Sequence, residues 1–239
     1  MSRPSSPAAS VERLALELSD RGPEDPVTLE LVAWLAESSR FRGFATTYRD
    51  KIHKKFRTAT DPDAIRDVRA ELQTARLLLA DRRFEVAFEA YGSGKVGPDF
   101  TVSYRSTRTF DLEVTRPRRV PDVPGTAAAL LAKLRQLTPS TPNVVLLAID
   151  GDTAEAVDVA AATRALRARA DAKDESFFTA RGFEGSRGFY DRFLRLGAVI
   201  VWSEGTQGDA RAALWTNRSA RIAIPDQVAR ACLDCLRAS

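Results

Sequence analysis

Two short segments of this chain hold carboxylates where a strand pattern would otherwise carry apolar residues. They are Gly97-Pro98-Asp99-Phe100 and Phe110-Asp111-Leu112-Glu113-Val114-Thr115. Carboxylates brought side by side repel unless they share a proton or a cation. A hard divalent ion such as Mg²⁺ or Mn²⁺, which prefers oxygen ligands, resolves that conflict. A third acid, Glu71, and an amine, Lys133, stand on helical patterns upstream and downstream. A cation held by such acids lowers the pKa of its bound water and neutralises charge on a phosphate, and a nearby amine positions or deprotonates the attacking water.

For that chemistry the four side chains must be brought together, and the flanking patterns say how. Thr101-Val102-Ser103-Tyr104 and residues 109–115 are β-prone runs joined by the polar stretch Arg105-Ser106-Thr107-Arg108, a hairpin signature. Alternation in the second run sends Phe110, Leu112 and Val114 to one face and Asp111, Glu113 and Thr115 to the other. Glu113 therefore stands mid-strand between apolar neighbours. Gly97-Pro98 favours a turn that fixes the approach of Asp99. Residues 61–80 read as a helix with Val68, Leu72, Ala75 and Leu79 on one stripe and Glu71 roughly 60° from its centre. Residues 126–137 read as a second helix with Leu130, Leu134 and Leu137 inward. Lys133 flanks that stripe at a similar angle, and Gln136 stands one turn along on the same side.

At these residues the chain resembles the PD-(D/E)xK nuclease superfamily. Glu71 on a helix, Pro98-Asp99 at a strand start, Glu113-Val114-Thr115 on the next strand, and the helix with Lys133 and Gln136 carry the resemblance. It covers residues 61–149, and the order helix, hairpin, helix, strand is that of the family's core. One position departs from the pattern: the lysine two residues after the second acid is Thr115 here. Some members, viral cap-snatching endonucleases among them, are similar in having Glu-x-Thr with the lysine moved to the following helix, which makes Lys133 the migrated lysine. The resemblance implies an α/β fold with a restriction-endonuclease-like core, a mixed central sheet flanked by helices. It implies Mg²⁺ or Mn²⁺ held by Glu71, Asp99, Glu113 and the Val114 carbonyl, with Lys133 as the catalytic amine. It implies a metal-dependent nuclease acting on DNA or RNA, with Thr115, Arg116, Arg118, Arg119 and Gln136 toward substrate, and with a homodimer where both strands are cut. The alternatives are a catalytically silent nuclease-like module that binds nucleic acid or protein, and a helical partner-binding protein whose acids form ion pairs.

Composition sets the bounds. The 239 residues, 44% hydrophobic and 28% charged, fit one sizeable α/β domain with a helical extension, or two small domains. The expected division is a disordered tail over 1–10, an N-terminal helical extension over 11–60 and the nuclease-like domain over 61–239. Net charge is +4 with an isoelectric point near 9.3. The excess is local, at Lys51, Lys54, Lys55 and Arg57, at Arg116, Arg118 and Arg119, and at Arg164, Arg167 and Arg169. That admits nucleic acid as a partner; Arg116 to Arg119 directly follow the acidic strand, and the three prolines over 117–125 break it, so Arg116, Arg118 and Arg119 are expected to be exposed. No run approaches ~20 apolar residues, and the first residues lack the apolar core of a secretory signal, so a soluble, cytoplasmic protein with no membrane partner is expected.

Cys232 and Cys235 have no second ligand pair with which to complete a zinc site. His53, among lysines, reads as a solvated surface residue. The remaining pattern predicts one basic helix over 41–56, a first strand over 84–88, and a buried parallel strand over 143–149. It further predicts a helix over 154–172, a buried strand over 198–202 and late edge strands or extended segments over 212–215 and 220–224.

Overall fold

Asp25-Pro26 and Asp61-Pro62 each set an acid ahead of a proline, the combination that opens a helix. Both open one in the computed structural model of the protein, which describes residues 7–90, 97–118, 122–151, 154–205 and 210–238. Asp25 accepts a hydrogen bond from the Val27 amide, and Asp61 accepts from those of Asp63 and Ala64. The chain divides into two units, Met1–Arg82 and Arg83–Ser239.

The described part of the first unit is helical: α1 (Pro7–Ser19), α2 (Pro26–Glu37), α3 (Ser39–Thr47), α4 (Arg49–Thr58) and α5 (Pro62–Ala80). Its core includes the fully buried Leu18, Leu35, Phe41 and Ile52, each worth about 1.5–3 kcal/mol of apolar burial. Three expectations are corrected here. Residues 7–10 of the expected tail are helical, because Ala8 and Ala9 extend the turn that buries Val11, Ala15 and Leu18; residues 1–6 lie outside the described part. The single basic helix is two, broken at Tyr48 (φ −105°, ψ 20°) after Thr46 and Thr47, whose hydroxyls donate back to the Arg42 and Gly43 carbonyls. The boundary between units falls after Arg82, not at residue 61, because α5 is tied to the helices before it. Arg69 on α5 makes a two-pronged ion pair with Glu30 on α2, and Arg40 on α3 donates to the carbonyls of Leu79 and Asp81.

The second unit is built on β1 (Phe84–Phe88), β2 (Phe100–Tyr104), β3 (Arg108–Thr115), β4 (Asn143–Ile149), β5 (Leu196–Ser203) and β6 (Arg211–Thr216), in that spatial order. β1, β2 and β3 pair antiparallel, β3, β4 and β5 pair parallel, and β6 returns antiparallel to β5. The fold is therefore α/β with a six-stranded mixed sheet flanked by helices. The expected hairpin sets Phe100 opposite Leu112 and Val102 opposite Phe110. Its connection places Arg105 and Ser106 in the left-handed region (φ 50° and 53°), the backbone form whose twist suits a tight β-hairpin.

Every residue of β4 and β5 is buried, as expected for parallel strands covered on both faces. The covering helices are α6 (Val123–Leu134), α7 (Val159–Asp171), α8 (Glu175–Thr179) and α9 (Gly185–Phe193), with α10 (Asp226–Arg237) against β5 and β6. Among the described residues no helix is long and apolar enough to cross a membrane.

Two further expectations shift. The helix foreseen over 154–172 is a short 3-10 turn, Ala154–Ala156, followed by α7, which starts where Asp158 caps the Ala161 amide. Residues 220–224 are not a strand. Asn217 anchors the turn after β6 by donating to the Phe193 and Leu196 carbonyls, and the Arg221 amide donates to Leu194 as a single backbone contact rather than a ladder.

Candidate functional site

β3 and α6 build the site. β3 is buried on both faces, so the alternation that turns Leu112 and Val114 one way buries Asp111 and Glu113 the other, at 1% and 2% exposure. A buried carboxylate needs partners, and these two find different ones. Asp111 accepts from three hydroxyls: Thr101 Oγ1 at 3.0 Å, Thr138 Oγ1 at 2.6 Å and Thr141 Oγ1 at 2.6 Å. Asn143 pins the loop that carries two of them, donating to the carbonyls of Thr138, Thr141 and Arg195.

Glu113 has a single amine instead. Lys133 Nζ, from α6, donates to Glu113 Oε2 at 2.8 Å, lies 3.6 Å from Asp99 Oδ2, and reaches Gln136 Oε1 at 3.4 Å. Glu113 Oε1 is buried and has no hydrogen-bond partner among the described residues. Asp99 enters just before β2 and is held in place by the backbone: its Oδ2 accepts the Val114 amide at 2.8 Å. The β2–β3 ladder ends at Phe100 and Leu112, so the carboxylate takes an amide of β3 two residues past the last paired position. The pocket grades from Glu113, buried, to Asp99 and Lys133, whose side chains retain 17% and 16% exposure.

The Glu113 carboxyl is raised from its ordinary 4.5 to about 7: burial is the largest cause, the charge of Asp99 adds to it, and Lys133 pulls the other way. A carboxyl so placed exchanges its proton near neutrality. When protonated, it can share that proton with Asp99. The arrangement can therefore hold a proton, hold a cation, or present an ammonium to an anion.

Of the residues singled out in the sequence, Asp99, Glu113, Val114, Lys133 and Gln136 come together in the second unit. Glu71 lies in the first unit, on α5, where Lys55 Nζ contacts its Oε2 at 2.5 Å. Among the described residues no three His, Cys, Asp or Glu side chains cluster as a metal site. Thr115 ends β3, half-buried.

Arg116 corrects the expectation of an exposed arginine: its side chain is 4% exposed and pairs with Asp150 Oδ2 at 2.6 Å. The in-register parallel pairing of β3 with β4, Thr115 opposite Leu147, brings the residues just past both strand ends together. Arg118 is exposed as expected, and Arg119 lies outside the described residues. His53, half-buried, has Nδ1 2.8 Å from the Glu17 carbonyl, and Cys232 and Cys235 are buried free thiols on α10.

Two features went unread in the sequence. The hydroxyl partners of Asp111 are one, and the loop Thr138-Pro139-Ser140-Thr141 was the available signal for two of them. Asp150 directly follows the apolar run of β4, the place where parallel strands present functional residues. No family model, no curated protein and no solved structure matches this chain.

Proposed function

We propose that the second unit hydrolyses phosphodiester bonds of DNA or RNA with Mg²⁺ or Mn²⁺, as PD-(D/E)xK nucleases do. The observation that carries this reading is the meeting of Asp99, Glu113 and Lys133 from three separate segments, with one Glu113 oxygen buried and unsatisfied. An orphaned carboxylate oxygen beside a second carboxylate fits a hard cation, and Asp99, Glu113 and the Val114 carbonyl would hold it. The ion, when bound, neutralises phosphate charge and lowers the pKa of water.

The protein's own groups supply the rest. The Val114 amide orients Asp99 before substrate arrives, which preorganises the acid at no cost during reaction. Lys133 carries the positive charge toward the phosphoryl oxygens as negative charge grows on them, with Gln136 beside its amine. Arg118, exposed beyond the end of β3, would supply positive charge to a phosphate backbone. Arg116, buried against Asp150, instead braces the strand ends.

A second reading is supported by a specific feature. Lys133 already lies between the two carboxylates in the role of counter-ion, as in a catalytically silent relative that binds nucleic acid or protein. Cleavage of single- and double-stranded DNA and RNA, with and without Mn²⁺, separates the two. The enzyme cuts at least one polymer only with Mn²⁺ and loses about 10²-fold or more in rate in Asp99→Ala. Retained Mn²⁺-dependent cutting in Asp99→Ala refutes the assignment, and the absence of both cleavage and calorimetric Mn²⁺ binding favours the silent reading.

A further inference from the structure

The second unit contains a cavity of about 290 Å³ between α6, α7 and α8. It is separate from the acid pair. Ala127, Ala128 and Leu131 of α6 line it, whereas Lys133 lies about 200° round the helix from Leu131. The floor is apolar, built from the buried Ala127, Leu131 and Leu166, and the small side chains of Ala128 and Ala165 leave the space open. The rim is cationic. Arg169 and Arg181 both lie over the half-buried ring of Phe177, with guanidinium carbons 4.4 Å and 3.7 Å from its centroid.

Those two charges are only partly answered. Arg169 pairs with Asp174 Oδ2 at 2.7 Å, and Arg181 donates to the Phe177 carbonyl at 2.9 Å. Each of these bonds uses one of the five N–H donors of its guanidinium. With one carboxylate against two guanidiniums, the rim keeps a net charge of +1 beside an apolar chamber. Its volume is near the lower end of the range for small-molecule sites, which combine an apolar lining with a few placed polar groups.

We propose that this cavity binds a small amphipathic monoanion, an apolar body of a few carbons ending in a carboxylate. The apolar part fills the space between α6 and α7, and the carboxylate takes N–H donors of Arg181 and Arg169, whose orientation the Phe177 ring fixes. The shape and charge favour this occupant over a neutral one, for which the paired guanidiniums would be dead weight, and over a bare anion, which would leave the apolar chamber wet.

Calorimetric titration with octanoate, octan-1-ol and acetate tests it. Octanoate is expected to bind one to one, about tenfold or more tighter than octan-1-ol, while acetate does not saturate. Arg181→Gln, at an exposed position, is expected to weaken octanoate about tenfold and leave octan-1-ol unchanged. Ala128→Phe fills the mouth and is expected to abolish both, with an unchanged far-ultraviolet circular dichroism spectrum. Equal affinity for octanoate and octan-1-ol, or octanoate binding that Arg181→Gln does not alter, overturns the proposal. So does tighter binding of thymidine 5′-monophosphate, which would make Phe177 a base platform. Co-sedimentation with phosphatidylglycerol vesicles that octanoate does not compete would move the apolar occupant to a lipid surface and equally overturn it.

Discussion

Replacing Glu113 by glutamine removes a carboxyl that the fold drives toward neutrality, and its effect can be worked out in advance. Glu113 moves from an ordinary 4.5 in the unfolded chain to about 7 in the fold. At ~1.4 kcal/mol per pH unit, ionising it costs about 3 kcal/mol more in the folded protein. The sign follows from proton counting. Below pH 4.5 both states hold the proton and the full stability is present. As pH rises from 4.5 to 7 the unfolded chain releases its proton first, so stability falls, and above 7 the loss is complete. Glutamine keeps the length and an acceptor for Lys133 Nζ but does not titrate there.

Urea unfolding of both proteins in EDTA, from pH 4 to pH 8.5, is the assay. The stability of the native chain relative to Glu113→Gln is expected to drop by about 3 kcal/mol across that range. Mn²⁺ is expected to shrink the drop, because a cation beside Glu113 favours its charged form. A difference that stays flat within about 1 kcal/mol, or that grows in favour of the native chain with rising pH, refutes the burial argument.

Other outcomes follow from the same geometry. Lys133→Met removes the charge that opposes the rise at Glu113, so carboxyl NMR should place the Glu113 titration above that of the native chain, and Mn²⁺-dependent cleavage should fall by 10²-fold or so. Thr138→Val and Thr141→Val each take a 2.6 Å donor from the buried Asp111 and should lower stability by about 1–3 kcal/mol in denaturant melts. Gly185→Ala should cost at least about 1–3 kcal/mol. Its φ is +65°, and a Cβ there would sit 1.9 Å from Glu175 Oε2, which accepts the Ser186 amide at the start of α9. A melting midpoint equal to that of the native chain would show that α9 does not depend on this cap.

Much of the fold was legible in one dimension because the signals are local. A two-residue period marks β2 and β3, an unbroken apolar run marks β4, a polar four-residue stretch marks the hairpin, and Asp-Pro pairs mark helix starts. The angle of Lys133 on α6 and the alternation of β3 both aimed their side chains at the sheet, and the two meet at 2.8 Å. What sequence could not express is the pairing of elements distant along the chain. Parallel register, not composition, buries Arg116 against Asp150. Packing likewise assigns α5 to the N-terminal helices. Asp111 and Glu113 stand two residues apart on one strand face and are chemically alike. One meets three hydroxyls and the other a lone amine, because the loop after α6 reaches one and α6 itself reaches the other. Side-chain period is a property of neighbours in the chain, whereas the environment that sets a carboxyl's proton affinity is supplied by residues tens of positions away.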